Sequence, residues 1–109
     1  MKKMTLKPPK ELSKPAKRLW QSIQAEYAIS DSAGLDILTD ACCFYDRREQ
    51  ARAAIRAEGA TIRDRFDQIV AHPATRIERD ASAAMLRCLK ALNLDIEPLK
   101  TTIGRPPGR

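Results

Sequence analysis

The feature that most constrains the fold is an uninterrupted helical pattern over residues 31–57. The Ser-Asp-Ser sequence at 30–32 offers good N-cap residues, and after Gly34 in the first turn nothing breaks the pattern before Gly59. A helix of roughly 26 residues is about 40 Å long. In a chain of 109 residues, a helix of this length favours a fold built from packed helices.

Composition also favours helices over strands. Aromatic residues make up only 5% of the chain although 43% of it is apolar, so much of the bulk comes from Leu, Ile and Ala. These residues suit close contact between helices better than packing in a sheet. Four glycines are too few for a turn-rich β fold. We therefore predict a mainly α protein with a single domain.

Capping residues and periodicity predict the remaining elements. Ser13 resembles an N-cap, Pro73 is well placed to open a helix, and Asn93 is a good left-handed C-terminal cap. The predicted elements are helices over about 13–27, 31–57 and 74–92 and a β-hairpin over about 61–71. Together they form a long antiparallel helical hairpin with the short β-hairpin at its tip and the N-terminal helix against its base.

The net charge of +6 lies in the first eighteen residues, where seven basic side chains face only Glu11. The rest of the chain holds 13 basic and 13 acidic residues. We predict a flexible basic arm over 1–12, a helical domain over 13–97 and a flexible basic tail over 98–109. Phosphate contacts by such an arm release counterions, so it suits a nucleic acid, either DNA or RNA. The predicted DNA-binding residues are Lys2, Lys3, Lys7, Lys10, Lys14, Lys17 and Arg18.

The long helix carries two apolar stripes that together cover about half of its circumference. One antiparallel partner helix cannot bury that much surface, so we expect a second copy of the chain to cover part of it. The predicted interface residues of this homo-oligomer are Leu35, Ile37, Leu38, Phe44, Tyr45 and Ile55.

The sequence has no recognisable catalytic or metal-binding motif. His72 is the single histidine, and the three cysteines are more typical of small core residues than of ligands or nucleophiles. We expect no enzymatic activity, no metal and no cofactor. Because no signal peptide or membrane-length apolar run is present, we expect a cytoplasmic protein without a membrane partner.

A helix-turn-helix is one arrangement by which the first two helices would bind DNA. The charges disfavour it, because Asp31, Asp36 and Asp40 at the start of the long helix would face phosphates. We therefore expect the main contact on the arm and the first helix, through the DNA backbone.

Short motifs along nearly the whole chain resemble one protein family. They are Leu19-Trp20 with Ile23, the spacing of Asp36, Leu38 and Cys42, Glu58-Gly59, His72-Pro73-Ala74 and Leu92-Asn93-Leu94. In this order they resemble the small terminase subunits of tailed double-stranded DNA phages. The turn of the predicted β-hairpin departs from the family pattern because it lacks the glycine often found there.

The resemblance implies a ring-forming oligomer that binds the viral genome and takes part in starting its packaging. It also implies a partner, the terminase large subunit, which is an ATPase and nuclease that the small subunit recruits and regulates. Ring contacts would then lie on the long and last helices, and the tail would contact the large subunit. Two alternatives stay open: a dimeric helical DNA-binding transcription regulator of phage or prokaryotic origin, and a helical adaptor for an acidic protein.

Overall fold

A computed structural model of the chain describes residues 6–94. Lys2, Lys3 and the predicted tail lie outside these residues. The elements are, in chain order, α1 (Lys14–Tyr27), α2 (Ser32–Glu58), β1 (Thr61–Arg63), β2 (Ile69–Ala71) and α3 (Pro73–Ala91). The prediction of a mainly helical fold with a small antiparallel β-hairpin is confirmed. Each helix end lies within one residue of its expected position.

Helices α2 and α3 pack against each other as an antiparallel hairpin. Within two turns of the tip of the hairpin, Arg52 Nε donates to Glu78 Oε2 at 2.8 Å. At the tip, where the β-hairpin joins the two helices, His72 Nε2 lies 2.5 Å from Glu58 Oε1. These two contacts pair later residues of α2 with earlier residues of α3, as an antiparallel arrangement requires.

The contact between α2 and α3 is built largely from alanines. The buried alanines are Ala41 and Ala51 on α2 and Ala74, Ala81 and Ala84 on α3. Small side chains allow two helices to approach closely, since the distance between helix axes depends on the residues at the contact. Ala41 and Ala51 belong to the same apolar stripe of α2 as Ile37, Phe44 and Ile55, so part of this stripe is covered within the chain.

The larger core residues lie at the base of the hairpin, where α1 packs across the first half of α2. The fully or nearly buried cluster contains Leu12, Ala16, Trp20, Leu38 and Cys42. Leu92, just after α3, packs against the same cluster. Trp20 Nε1 also donates to Thr39 Oγ1 at 3.4 Å. The base thus joins all three helices into one body.

The short link between α1 and α2 is held by a side-chain clamp. Ala28 ends α1 in the left-handed conformation, with φ of 50°. The Gln24 amide then pairs with the backbone of Ile29, donating to its carbonyl at 2.8 Å and accepting from its N–H at 2.6 Å. Gly34 is buried beside this link, and a Cβ there would lie 2.8 Å from Ile29 Cγ2. Any larger residue at position 34 would therefore force the neighbouring Ile29 or Asp31 side chain to move.

The β-hairpin closes through an aspartate-rich turn. Asp67 adopts φ of 62°, a left-handed position that glycine usually occupies in three-residue hairpin loops. Asp64 Oδ1 accepts from the N–H groups of Phe66 and Gln68 at 2.8 and 3.0 Å. The two hydrogen bonds of the Asp64 side chain hold the turn in place. Asp67 can take the position of the missing glycine because Asp tolerates the left-handed conformation better than most residues.

Candidate nucleic-acid interface

Ser13 fixes the start of α1 on the surface of α2. Its backbone N–H donates to Asp46 Oδ2 at 2.9 Å and its Oγ donates to Asp46 Oδ1. The same Oγ accepts from the Ala16 N–H at 3.2 Å as the helix N-cap. Because these hydrogen bonds fix the backbone at Ser13 and at the first turn of α1, the basic residues on either side of Ser13 have a defined position relative to α2.

The last residues of the predicted flexible arm belong to the folded domain. Leu12 is only 5% exposed within the core cluster. Its N–H points at the Pro9 carbonyl at 3.4 Å in a turn, and Leu6 lies beside Trp20 and Gln24 of α1. The segment from residue 6 therefore folds back along α1, so the assignment of residues 6–12 to a free arm is corrected. Burial of Leu12 is the physical reason.

The basic side chains of this region point away from the core. Lys7, Lys10, Lys14 and Arg18 are exposed, and Lys17 is half-buried. On α1, Lys14 and Arg18 lie on the side opposite the buried Ala16 and Trp20, by the 100° rotation per residue of an α-helix, and Lys17 lies at the edge of that side. None of the five forms an ion pair with a carboxylate of residues 6–94. The region holds these five cations and one exposed acid, Glu11, and is thus a net positive surface without ion pairs, which we call the α1 surface.

Acidic residues border the α1 surface on the side of α2. Burial, followed by the nearby Asp40, Asp46 and Glu11 carboxylates, raises the pKa of the Cys43 thiol. These three carboxylates therefore lie close together around Cys43. A polyanion meeting the α1 surface is repelled from this side, so contact is confined to the outer side of α1 and the segment before it.

The start of α2 carries the acids that disfavour a helix-turn-helix contact. Asp31 is the N-cap, accepting from the Gly34 N–H at 2.8 Å. Asp36 and Asp40 are exposed on the following turns. Negative charge at these positions opposes insertion of this helix end into a DNA groove.

The residues expected at an oligomer interface fall into two groups. Leu38 is completely buried in the core, and Leu35 and Tyr45 pack against the same cluster. A second copy cannot reach Leu38 while α1 is folded, so this residue is reassigned from the interface to the core. Ile37, Phe44 and Ile55 are half-buried and keep apolar surface at the edges of α2.

Other apolar side chains are exposed where the sequence pattern did not suggest it. Phe66 and Ile69 are 71% and 65% exposed at the β-hairpin, and the Arg65 guanidinium lies 5.4 Å from the Phe66 ring centre. Ile77 of α3 is 44% exposed and lines a groove with Phe44 of α2. We call the second feature the Phe44 groove. Periodicity alone cannot identify these positions because it does not reveal which apolar face a neighbouring helix leaves open.

The pKa of each of the three thiols is raised, which disfavours the reactive thiolate. Burial, with smaller contributions from Cys43 and Asp46, raises the pKa of Cys42 to about 12. Burial is also the main cause that raises the pKa of Cys88. Cys42 is buried and fits the expected role as a core residue, and Cys88 is half-buried, but Cys43 is exposed, so the expectation of a core position is wrong for Cys43. Within residues 6–94, no cluster of His, Cys, Asp or Glu is arranged to hold a metal ion. No helix in this part of the chain is long and apolar enough to cross a bilayer.

Comparison with known proteins adds one match. A family model described as phage terminase, small subunit, matches residues 16–98, which is most of the chain and nearly all of the helical fold. No curated protein and no solved structure matches the chain.

Proposed function

The chain belongs to the phage terminase small-subunit family, and from this premise we propose that it binds viral double-stranded DNA and recruits the large ATPase–nuclease subunit. Its role lies in phage genome packaging. The observation that carries the DNA-binding part is the α1 surface, where five cations lie together without a carboxylate partner in the described chain. Its phosphate contacts release counterions, which makes binding favourable and dependent on salt.

The experiment measures how DNA affinity depends on salt. A labelled 30-base-pair duplex is titrated with wild-type protein and with two variants of equal net charge, and anisotropy gives the affinity at each salt concentration. The arm variant carries the substitutions Lys10→Gln, Lys14→Gln and Arg18→Gln. The tip control carries the substitutions Arg56→Gln, Arg63→Gln and Arg65→Gln, away from the α1 surface.

Loss of three phosphate contacts lowers the slope of log affinity against log salt by about 2 to 3 per protomer. We expect this change in the arm variant and a near-wild-type slope in the tip control. Circular dichroism of each variant checks that the fold is intact. Identical slopes for wild type and arm variant exclude the α1 surface as the contact, and an absence of wild-type binding in dilute buffer excludes DNA binding itself.

We also propose that the chain self-associates into a ring, with the Phe44 groove as part of the contact. The groove combines half-buried Phe44 with exposed Ile77 beside the small side chains of Ala81 and Ala84. A second copy of the chain can bury this apolar surface, and several copies in one ring raise the effective concentration of their DNA contacts. The half-buried Ile37 and Ile55 stay candidates for the same contact.

Native mass spectrometry tests self-association and separates the proposed function from its main alternative. A subunit number above four supports a packaging ring, whereas a dimer supports a transcription regulator. Ile77→Asp places a charge at the groove without reaching the core, so it is expected to lower the subunit number. A wild-type monomer, or an Ile77→Asp variant with unchanged mass, contradicts the proposed contact.

The large subunit is proposed to bind the basic tail over 98–109, which lies outside the described residues. Packaging begins in the host cytoplasm, which is the proposed location of the protein. Deleting residues 98–109 is expected to abolish co-purification with the large subunit while DNA affinity is kept. Retained co-purification would place that contact elsewhere on the helical domain.

A further inference from the structure

The outward side of α3 carries a second line of positive charge. Its basic residues are Arg76, Arg79, Arg87 and Lys90, all exposed. By helical periodicity Arg76, Arg79 and Lys90 lie roughly half a turn away from the buried alanines of α3, so they point away from α2, whereas Arg87 lies at the edge of this side, next to the Phe44 groove. At 1.5 Å per residue the line is about 21 Å long. We call it the α3 stripe.

The cations of the α3 stripe lack partners, in contrast to those at another edge of the same hairpin. There, Arg52 contacts both Glu49 and Glu78, at 3.1 and 2.8 Å, and its hydrogen bond to Glu78 raises the pKa of the guanidinium. Arg48 contacts Glu49 at 3.1 Å. No residue of the stripe has an ion pair within residues 6–94. The hairpin thus has one balanced edge and one positive side.

Only one acid of α3 lies beside the stripe. Asp80 is exposed next to Arg87 at the Phe44 groove, where Arg47 of α2 adds another cation. Glu78 faces α2 and is engaged by Arg52. Like charges three and four residues apart on a helix repel each other by a few tenths of a kcal/mol per pair. An anionic partner removes this repulsion.

The shape and composition of the stripe favour a nucleic-acid backbone over an acidic protein. Protein interfaces have an apolar centre that is depleted of charge, whereas this side is occupied mainly by cations, with the small Ala83 and the exposed Leu86 between them. One DNA strand presents a phosphate every 3.4 Å along the helix axis, so the stripe runs beside roughly six phosphates. We propose that the α3 stripe is a second contact for the phosphate backbone of double-stranded DNA.

This inference rests on the proposed function, since it names a further surface for the same ligand. It is nevertheless separable from the α1 surface, because the two sets of cations lie on different helices. Arg76 lies near the tip of the hairpin, while Lys90 lies near the base, just before Leu92 reaches the core beneath α1. The stripe therefore extends DNA contact along the hairpin from its base.

The test adds an α3 variant to the salt titration of the arm variant and tip control. It carries the substitutions Arg76→Gln, Arg79→Gln and Lys90→Gln, and Arg87 is kept because it lines the Phe44 groove. Gln has a helix propensity close to those of Arg and Lys, so α3 is expected to stay folded. All three variants lose the same charge, which removes the effect of net charge from the comparison. Native mass of each variant shows whether assembly is unchanged.

We expect the α3 variant to lower the salt slope by about 2 to 3 per protomer, with the tip control near wild type. An unchanged slope for the α3 variant together with a lowered slope for the arm variant overturns the α3 stripe and leaves the proposed function standing. The reverse result supports the stripe and overturns the α1 surface. If the α3 variant instead keeps DNA affinity and loses the purified large subunit, its partner is a protein and the DNA assignment is overturned.

Discussion

Replacement of His72 tests the joint that connects the β-hairpin to both long helices. The His72 N–H donates to the Ala60 carbonyl at 2.8 Å, and Nδ1 accepts from the Ala74 N–H at 2.9 Å as the N-cap of α3. Because Nδ1 accepts a backbone N–H, the proton of the neutral ring resides on Nε2. That nitrogen donates to Glu58 Oε1 at 2.5 Å. One buried imidazole thus links the end of α2 to the start of α3.

The magnitude follows from these two side-chain bonds. Loss of an N-cap acceptor destabilises a helix by about 1 kcal/mol, within a range of roughly 0.5–2. The Glu58 side chain is 62% exposed, so its contact contributes below about 1 kcal/mol. His72→Ala removes both bonds, and we expect a loss of about 2 kcal/mol. His72→Asn keeps a capping oxygen and loses only the contact with Glu58, so its loss is below about 1 kcal/mol.

Thermal unfolding followed by circular dichroism, at one protomer concentration, measures the difference. For a domain of this size, each kcal/mol shifts the melting temperature by roughly 4–8 °C. His72→Ala is expected to melt roughly 8–16 °C below wild type, and His72→Asn less than half as far below. Equal decreases for the two variants would refute the capping role, since Asn restores the cap and not the Glu58 contact.

Two further changes test the core and the link between α1 and α2. Leu38→Asp buries a charge in the core cluster and is expected to unfold the protomer, whereas the matched Ile37→Asp at a half-buried position leaves the far-ultraviolet circular dichroism spectrum intact. A folded Leu38→Asp variant would show that α1 does not cover this residue. Gly34→Ala places a Cβ 2.8 Å from Ile29 Cγ2 and 2.9 Å from Asp31 Oδ1, and a loss of about 1–3 kcal/mol is expected in chemical denaturation. Unchanged stability would mean that the link relaxes at little cost.

The helices could be predicted from the sequence because their ends are fixed by local chemistry. Ser13 and Asp31 act as N-caps, and Gly59 and Asn93 adopt positive φ at the ends of α2 and α3. Each of these effects depends on a few neighbouring residues. Pro73 at the start of α3 is a further local signal. The positions of the helices can therefore be predicted without knowledge of tertiary contacts.

Leu38 could not be assigned from periodicity, because its position depends on contacts distant in sequence. Its stripe on α2 is apolar, but only the docking of α1 and Leu12 decides that this stripe is core. The alanines of the other stripe are likewise buried by α3. The surplus apolar surface of α2 is consequently smaller than the pattern suggested, and what remains open lies at the Phe44 groove.

The role of His72 was also missed, although a signal was present. A residue directly before a proline at the first position of a helix occupies the N-cap, where an acceptor side chain is favoured. Histidine is not among the usual capping residues, so the sequence alone does not indicate its Nδ1 as the acceptor. Asp67 was missed for a similar reason, because an aspartate takes the left-handed position where glycine is usual.

The sequence does not directly indicate the α3 stripe, because the basic and acidic residues after the first eighteen are equal in number. Net charge sums over the whole body, but a phosphate responds to the charges within about one Debye length, roughly 8–10 Å. On α2 and the inner side of α3, the carboxylates of Glu49 and Glu78 are held by Arg52, so they do not offset cations on the outer side of α3. Since pairing within the fold localises the acids, a body with no net charge still presents a positive side. DNA binding by this protein should therefore depend on which face of the hairpin is altered, and not only on how many charges are removed.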